Sequence, residues 1–279
     1  MNPLEGKVAL VTGASRGMGR GIAIELGAAG ATVYVTGRSR TGASTEDRPE
    51  TVDETATLVT KAGGKGIAIV CDHADDDQVQ ALFGRIERLD LLVNNVWGGY
   101  ENYDHTTFAD PFWKQPLERF ERMFQTGPRA HFVASCRAAP GMIARKQGLI
   151  VNIAAGDHGR FLGNVPYDLA KSMCARMAFG MAENLKAHNV AVLGILPGFT
   201  RTERVTDAFS GSPPPTTETP RYTGRVVAAL AADRSIMQHS GRVQASATWA
   251  RHYGISDIDG RTLEPFVLPP EYPAPVDRF

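Results

Sequence analysis

The chain has 279 residues, of which 43% are hydrophobic, a composition typical of a globular protein and not of a disordered one. Thirty basic residues balance thirty acidic ones, so no net charge draws the chain to nucleic acid or to an anionic membrane surface. No apolar run approaches the ~18 residues of a membrane helix, and the N-terminus lacks a signal-peptide pattern, so neither feature is expected.

Apolar runs of strand length alternate with stretches of helical periodicity over most of the chain. The predicted strands are, in order, KVALVT, ATVYVTG, KGIAIVCD, DLLVNN, GLIVNIA and VAVLGILPG. The predicted helices lie in GRGIAIELGAAG, TVDETATLVTKAGG, DDQVQALFGRIERL, PLERFERMFQTGPRAHFVASCRAAPGMIARK and VPYDLAKSMCARMAFGMAENLKAHN. Buried strands that alternate with helices predict an α/β fold with a single doubly wound, Rossmann-type parallel sheet flanked by helices.

Long irregular segments interrupt this alternation. Residues 97–116 are aromatic and rich in Gly and Pro, and Trp113 among them is expected to anchor the segment on the core. A second segment, 199–221, contains FSGSPPPTTETP and is typical of a mobile cover. We expect both to be substrate loops of one domain covering residues 1–250. The proline-rich residues 251–279 are expected to form a C-terminal extension that packs on the same domain.

The three cysteines, Cys71, Cys136 and Cys174, are far apart and match no metal or disulfide spacing. Each lies in an apolar stretch, which favours three buried thiols in a reducing compartment. The sequence therefore predicts no metal site and a cytoplasmic location.

A glycine-rich segment, VTGASRGMGRG, follows the first predicted strand and opens the first helix. It places Gly13, Gly17 and Gly19 at a TGxxxGxG spacing. Glycines here permit a tight turn and close backbone approach to a pyrophosphate, whose charge a helix N-terminus favours. A glycine-rich turn without a ligand is the alternative, but the position at the first strand–helix junction favours a nucleotide site.

The end of the second predicted strand bears on the choice of cofactor. An acidic residue there would hydrogen-bond the ribose hydroxyls of NAD, but this chain has Thr36, Gly37 and Arg38. Arg38 and Arg16 could hold a 2′-phosphate by charge-assisted hydrogen bonds. The alternative for each arginine is a solvated surface charge. Two arginines at these places and no competing acid favour NADP(H).

A tyrosine and a lysine follow the fifth predicted strand. Tyr167 and Lys171 are four residues apart, so they share one face of a helix, and Pro166 suits its first turn. A neighbouring ammonium lowers the phenol pKa from its usual value near ~10. The phenol could then exchange a proton with a carbonyl or alcohol oxygen while hydride moves to or from a nicotinamide. An isolated pair at this spacing usually has no such role, but its place in this fold favours catalysis.

Together these motifs resemble the short-chain dehydrogenase/reductase family. Further matches are Asp72 after the third strand, Asn94-Asn95 after the fourth and Pro197-Gly198 after the sixth. They fall in family order over roughly the first 250 residues, so chance agreement is not expected. The segments FWKQP, NVPY and RHYGISDIDGR further resemble the dehydrogenase/reductase member 1 branch of the family.

This resemblance implies roles for residues around the cofactor. Asp72 should approach the adenine amino group, Lys171 should bond the nicotinamide ribose, and Thr202 should bond the carboxamide or the pyrophosphate. A strand-end turn for Asp72 and a helix N-cap for Thr202 are the structural alternatives. The implied cofactor-binding residues are Gly13, Ser15, Arg16, Gly17, Met18, Gly19, Arg38, Asp72, Asn94, Tyr167, Lys171, Pro197, Gly198, Thr200 and Thr202. The resemblance also implies a small-molecule substrate and a homodimer or homotetramer paired through the fourth and fifth helices.

Two of the four usual catalytic positions depart from the family pattern. Ala155 stands at the position of the usual serine, and Gly127 stands at that of the usual helix asparagine, which holds a water in a proton relay. Gly127-Pro128 predicts a helix kink even without the asparagine, because proline removes a backbone donor. Loss of one donor at a reacting oxygen can cost on the order of 10²–10³ in rate.

Four interpretations of this altered site stay open. A reductase could use a substitute donor, for which the candidates are Asp157, His158, Gln125 and a water. The substrate could be an imine or an activated double bond that needs no serine. The chain could bind NADP(H) as a sensor with no turnover, or Ala155 could be an introduced, inactivating substitution. Because Tyr167 and Lys171 are both present, we favour an NADP(H)-dependent oxidoreductase that acts on a carbonyl or alcohol.

The expected substrate pocket lies on loops that leave the carboxyl ends of strands, where ligands bind in this fold. Trp97, His158 and Phe161 are its predicted wall residues. Their aromatic character favours a bulky apolar or aromatic carbonyl compound.

Overall fold

A computed structural model of the chain describes residues 2–101, 104, 106–156, 159–270 and 272–273. Within them a parallel sheet has the strand order β3-β2-β1-β4-β5-β6-β7. The strands are β1 (Val8–Val11), β2 (Thr32–Gly37), β3 (Lys65–Val70), β4 (Leu91–Asn94), β5 (Gly148–Ile153), β6 (Val190–Leu196) and β7 (Val243–Ala245). The order reverses between β1 and β4, so the predicted doubly wound sheet is confirmed.

The helices connect these strands as crossovers. Their bounds are α1 (Gly17–Ala28), α2 (Val52–Lys61), α3 (Asp76–Gly84), α4 (Leu117–Phe124), α5 (Ala130–Arg145), α6 (Val165–Leu185), α7 (Glu203–Ala208), α8 (Pro220–Ala232) and α9 (Ser246–Tyr253). A π-helical turn, Gln125–Arg129, joins α4 to α5. The predicted kink therefore lies at Gly127 and Pro128, where the helical hydrogen-bond ladder is interrupted.

Two apolar cores lie on opposite faces of the sheet because successive side chains of a strand point in opposite directions. In β4, Leu91 and Val93 join the core that contains residues of α1, α2, α8 and α9. Leu92 between them joins the core that contains residues of α3, α5 and α6. Both faces of β4 are thus buried, which explains its uninterrupted apolar sequence.

Some local predictions from the sequence differ from the structure. Helix α3 ends at Gly84, five residues before the end of the predicted segment, and β7 was absent from the predicted strands. Cys136 is exposed, so the expectation of three buried thiols is wrong for it. Trp113 is 71% exposed and does not anchor its loop on the core. Contacts made by the whole fold, which a local pattern does not contain, decide each of these outcomes.

The described residues contain neither a membrane-spanning helix nor a cluster of metal ligands. None of the described helices is long and apolar enough to cross a membrane. No group of three or more histidine, cysteine or acidic side chains in the described ranges could hold a metal ion.

The proposed division of the chain near residue 250 falls within α9, and the domain limits stay a prediction.

Truncation of Leu92 tests the buried position of β4. Leu92 is completely buried, so we expect Leu92→Ala to lower the free energy of unfolding by about 2–5 kcal/mol through lost burial and a residual cavity. Leu117, which is 76% exposed, provides the control, since Leu117→Ala should change stability by less than about 0.5 kcal/mol. Urea unfolding measures both, and equal effects would contradict this assignment of the core.

Candidate active site

The glycine loop lies between β1 and α1 and is braced from the neighbouring strand. Gly13 adopts φ +65°, a conformation that favours glycine. A Cβ at Gly19 would collide with the Gly13 carbonyl oxygen and stand 2.5 Å from Asn95 Nδ2. That Nδ2 donates to the carbonyls of Thr12 and Gly13 at 3.0 and 2.9 Å. The loop is therefore held tightly against Asn95, the residue that follows β4.

The first amide of α1 already meets a negative charge. Gly17 N–H donates to Glu203 Oε2 at 2.8 Å, and Glu203 is the first residue of α7. Two ion pairs tie the same short helix to the loop after β2, namely Arg204–Glu46 at 2.8 Å and Arg48–Asp207 at 2.9 Å. A carboxylate thus occupies the position at which a helix N-terminus attracts a phosphate.

The Arg16 guanidinium lies within a cluster of hydroxyl groups. Its Nη2 donates to Ser39 Oγ at 2.8 Å and to Thr45 Oγ1 at 3.0 Å. Glu46 and Glu50 each lie 3.8 Å from the same guanidinium. Arg16, Ser39 and Thr45 together offer the donors that a phosphate group needs, but two carboxylates stand beside them.

Arg38 is also paired with acidic side chains. It donates to Glu101 through a short ion pair and lies 3.8 Å from Asp72. Asp72 Oδ1 in turn accepts from Ala74 N–H at 2.9 Å, which is the strand-end turn that the sequence offered as an alternative. The end of β2 carries no acid, as the sequence analysis noted, but other segments bring Glu46 and Glu50 to Arg16 and Glu101 to Arg38.

Tyr167 and Lys171 lie on the first two turns of α6. Asn164 caps this helix, since its Oδ1 accepts from Tyr167 N–H at 2.9 Å, and Pro166 occupies the first turn. The Tyr167 ring lies among other rings, with centroids 5.6 Å from Trp97, 6.3 Å from Tyr100 and 5.8 Å from Phe108. The cap and the ring cluster therefore fix where the phenol lies.

Lys171 is almost completely buried beside Tyr167. Its side chain reaches the face of Trp97, with Nζ 3.8 Å from the ring centroid, and lies 5.9 Å from the Tyr167 centroid. Burial lowers the pKa of Lys171 to about 8. At neutral pH Lys171 is therefore still mostly an ammonium group, next to the phenol.

Trp97 fills the space in front of Gly127. A Cβ at Gly127 would stand 2.9 Å from Trp97 Cζ3, and a Cβ at Gly99 would stand 2.6 Å from Trp97 Cζ2. Any side chain at residue 127 would thus meet the indole. The sequence predicted Trp97 as a wall of the substrate pocket, whereas the structure also places it between Gly127 and Lys171.

The position of the usual serine follows β5. Ala154 is buried, and Ala155 after it is half-buried and carries no hydroxyl group. Of the substitute donors considered, Asp157 and His158 lie outside the described residues, so the prediction of His158 in the pocket rests on sequence alone. Gln125 Nε2 donates to the Ala74 carbonyl at 3.1 Å, which commits one of its amide hydrogens near α3.

The side chain of Asn94 is directed into the protein interior. It is fully buried, and its Nδ2 donates to Ser135 Oγ and to Asn152 Oδ1, both at 2.9 Å. This amide nitrogen therefore joins the ends of β4 and β5 to α5, while Asn94 Oδ1 is buried without a hydrogen-bond partner among the described residues.

The loop after β6, which begins at Pro197, is organised by a buried carboxylate that the sequence analysis missed. Glu218 is 3% exposed and accepts from Thr223 Oγ1 at 2.9 Å and from Ser246 Oγ at 3.1 Å. Its backbone pairs with the loop, since Glu218 N–H donates to Phe199 O and Arg201 N–H donates to Glu218 O. Burial raises the pKa of Glu218 to about 7. No local motif indicated it, because its partners are distant in sequence.

Two implied cofactor residues of the same loop have partners within the protein. Thr200 Oγ1 donates to the Gly198 carbonyl at 3.0 Å and lies 3.4 Å from Glu218 Oε1. Thr202 Oγ1 accepts from Val205 N–H at 3.3 Å and so caps α7. A Cβ at Gly198 would stand 2.8 Å from Glu218 Oε2. Contacts within the protein therefore define the shape of this loop.

Phe161, the third predicted pocket residue, is half-buried and contacts the C-terminal segment. Its N–H donates to the Pro273 carbonyl at 2.9 Å, and Arg160 Nη1 donates to the Tyr272 carbonyl at 2.7 Å. Of the remaining implied residues, Met18 packs on the core, and Ser15 O accepts from Thr55 Oγ1 at 3.2 Å. Tyr272 and Pro273 thus hold Arg160 and Phe161 through backbone carbonyls.

The described features define a class of protein, namely Rossmann-type α/β proteins with a glycine loop after β1 and a tyrosine–lysine pair on α6. Residues 7–212 match the family described as short chain dehydrogenase. The chain is 35% identical over 282 residues to dehydrogenase/reductase SDR family member 1 of Mus musculus, covering 95% of this chain and 87% of that protein. The chain therefore belongs to the short-chain dehydrogenase/reductase family of oxidoreductases.

Solved structures agree with this assignment. A short chain dehydrogenase from Mycobacterium thermoresistibile has a TM-score of 0.79 at 24% identity, over 98% of this chain and 100% of that one, which shows the common fold. A metagenomic short-chain oxidoreductase in complex with NADP has a TM-score of 0.67 at 26% identity, over 87% of this chain and 96% of that one.

The buried Glu218 should make stability fall as pH rises. Its pKa is about 7 in the folded chain against an ordinary value of 4.5, so between these pH values the carboxyl ionises first in the unfolded state, which is thereby favoured. We expect wild type to lose about 3 kcal/mol relative to Glu218→Gln between pH 4.5 and 7.5. Urea unfolding across this range measures the difference. Glu264→Gln, at an 82% exposed side chain, is the control, and parallel pH profiles for wild type and Glu218→Gln would contradict the assignment.

Proposed function

We propose that the protein is an NADP(H)-dependent oxidoreductase that transfers hydride to or from a carbonyl or alcohol, with Tyr167 as acid/base and Lys171 as its electrostatic partner. The observation that carries the proposal is the buried Lys171 ammonium, one helical turn from Tyr167. Burial of an unpaired positive charge costs free energy, and groups buried in this way cluster at functional sites. Stabilisation of a phenolate at residue 167 would be the function of this charge.

The residues of the glycine loop fit a dinucleotide. A side chain at Gly19 would collide with the Gly13 carbonyl oxygen, so glycine keeps this turn tight, and donation from Gly17 N–H to the Glu203 carboxylate supports anion binding at this amide. Arg16, with Ser39 and Thr45 beside it, supports a site for a 2′-phosphate, so NADP(H) is preferred over NAD(H) in this proposal. Glu46 and Glu50 lie beside the Arg16 guanidinium, so a phosphate can bind there favourably only if these two carboxylates move aside.

The proton chemistry would be performed by this chain's own side chains. A bound nicotinamide would supply or accept the hydride. Tyr167 would give a proton to, or take one from, the substrate oxygen. The positive charge of Lys171 would stabilise the phenolate form of Tyr167. Trp97, Tyr100 and Phe108 surround the phenol, which supports a bulky apolar or aromatic substrate.

A second candidate function is binding of NADP(H) with little or no turnover. The observation that favours it is Ala155, which has no hydroxyl to bind the reacting oxygen. This candidate includes an inactivated variant of a reductase, in which alanine replaces a native serine.

The proposed assembly and location extend the family assignment. Phe132 on α5 and Phe179 on α6 are 51% and 43% exposed, which supports pairing of these helices in a homodimer or homotetramer. A cytoplasmic location, and the absence of nucleic-acid and membrane partners, stay predictions from composition.

Turnover dependent on Tyr167 distinguishes the two functions. NADPH consumption is measured with a panel of ketones, aldehydes, quinones and imines, for the parent chain and for Tyr167→Phe, Ala155→Ser and Tyr34→Phe. We expect a parent rate that Tyr167→Phe lowers by about 10²–10⁴, since the proton donor is lost, while Tyr34→Phe, an exposed hydroxyl, has no effect.

Two other results would go against the enzyme. Turnover by Ala155→Ser alone would identify the chain as a disabled reductase. NADPH binding by all variants, with no turnover of any panel member, would favour the binding protein.

The choice between NADPH and NADH depends on Arg16 in this proposal. We expect Arg16→Ala to weaken NADPH binding by roughly 10–100-fold and to leave NADH binding within a few-fold, because only NADPH carries the 2′-phosphate. Calorimetric titration of both cofactors measures the ratio. Arg88→Ala, at the opposite end of β4, is the control, and an unchanged NADPH/NADH ratio in Arg16→Ala would refute this role.

A further inference from the structure

The space between Lys171 and the kinked helix is filled by an aromatic ring. Trp97 lies with its ring centroid 3.8 Å from Lys171 Nζ on one side, and its Cζ3 would be 2.9 Å from a Cβ at Gly127 on the other. In the family that the chain resembles, the usual residue at the position of Gly127 is an asparagine that holds a relay water. In this chain an indole ring and a glycine occupy that region together.

An ion pair with a carboxylate would explain the burial of Lys171. Among the ion pairs of the described residues, none includes Lys171. On its own helix it faces Tyr167 and Cys174, and burial raises the pKa of the Cys174 thiol to about 11, so that thiol is neutral. From α5 it is approached by His131, whose pKa burial and the Lys171 charge lower to about 3, so that imidazole is neutral too. The Trp97 face is therefore a principal source of negative potential next to this ammonium.

The indole is held by packing against its faces and edges. Its Nε1 is buried and has no hydrogen-bond partner in the described part of the chain. A buried N–H without a partner is unfavourable, so the ring would not lie here for the sake of its polar atom. Gly99 and Gly127 flank its edge so closely that neither could carry a side chain.

We propose that Trp97 is a positioning residue for Lys171, and that its indole, seated against the bare backbone of Gly127, holds its aromatic face against the ammonium group. The proposal rests on the proposed function of Tyr167 and Lys171. It explains the substitution at residue 127 as one half of a coupled pair, a large ring and a residue without a side chain.

The state of the Lys171 amino group can be measured in the free protein without any substrate. The chain has seven lysines, so lysine labelled with ¹³C and ¹⁵N gives few side-chain signals in NMR, and Lys171→Arg identifies that of Lys171. The pH titration is recorded for wild type, Trp97→Phe, Trp97→Leu and the control Trp113→Leu, whose ring is exposed.

Leucine keeps the site apolar but removes the ring face. We therefore expect Trp97→Leu to lower the pKa of Lys171 by about half a unit to one and a half units, and Trp97→Phe to lower it less. Trp113→Leu should leave it unchanged. An unchanged or raised pKa in folded Trp97→Leu would overturn the proposal. The titration is independent of turnover, so its failure is distinct from failure of the proposed enzymatic function.

A double-mutant cycle tests the coupling to Gly127 and does not depend on Trp97→Leu alone. Gly127→Ala is introduced into wild type and into Trp97→Leu, with Gly180→Ala, at an open position of α6, as the glycine control. We expect Gly127→Ala to displace the indole and shift the Lys171 titration in wild type, and to shift it much less in Trp97→Leu. Equal shifts in both backgrounds, or none in wild type, would show that ring and glycine are not coupled and would overturn the proposal.

Discussion

Parallel pairing of β4 with β5 places the two halves of the candidate site next to each other. Asn94 and Asn152 are partners in this register, and the amide of Asn94 links both strands to Ser135 on α5. Because the strands end at the same edge of the sheet, the chain segments that follow them must meet. Trp97 follows β4 and Ala155 follows β5. Helix α6 then brings Tyr167 and Lys171 next to Trp97. A buried amide network thus sets the distances on which the proposed chemistry depends.

The electrostatics of the site depend on the surroundings of Lys171. A buried ammonium group needs compensation, and in the described surroundings Lys171 has an aromatic face, a neutral imidazole and a neutral thiol instead of a carboxylate. Such partners stabilise the charge only in part, which agrees with the lowered pKa of Lys171. A lysine of this kind interacts more strongly with a developing phenolate than a salt-bridged one would, since no ion pair among the described residues competes for its charge.

Local features of the site could be predicted from the sequence. The glycine loop and the Tyr167–Lys171 pair are short-range patterns, so spacing and the strand–helix alternation were enough to place them in the right elements. Glu218 could not be found in this way, because burial by α8 and α9 makes it unusual. The acids beside Arg16 and Arg38 were missed for a similar reason, since loops bring them there. Trp113 was misjudged because aromatic composition does not tell a loop's core contacts from its exposed tip.

The short helix α7 is tied to the rest of the protein chiefly by charges that lie near solvent. Arg204–Glu46 and Arg48–Asp207 join it to the loop after β2, and Glu203 joins it to Gly17 N–H. Pairs of this kind are individually weak and are screened by salt. One amide hydrogen also serves only one good acceptor at a time, so a phosphate oxygen at Gly17 and the Glu203 carboxylate exclude each other. Salt and a bound phosphate would therefore weaken the same attachment of α7. Salt would screen its ion pairs, and the phosphate would displace Glu203 from Gly17 N–H.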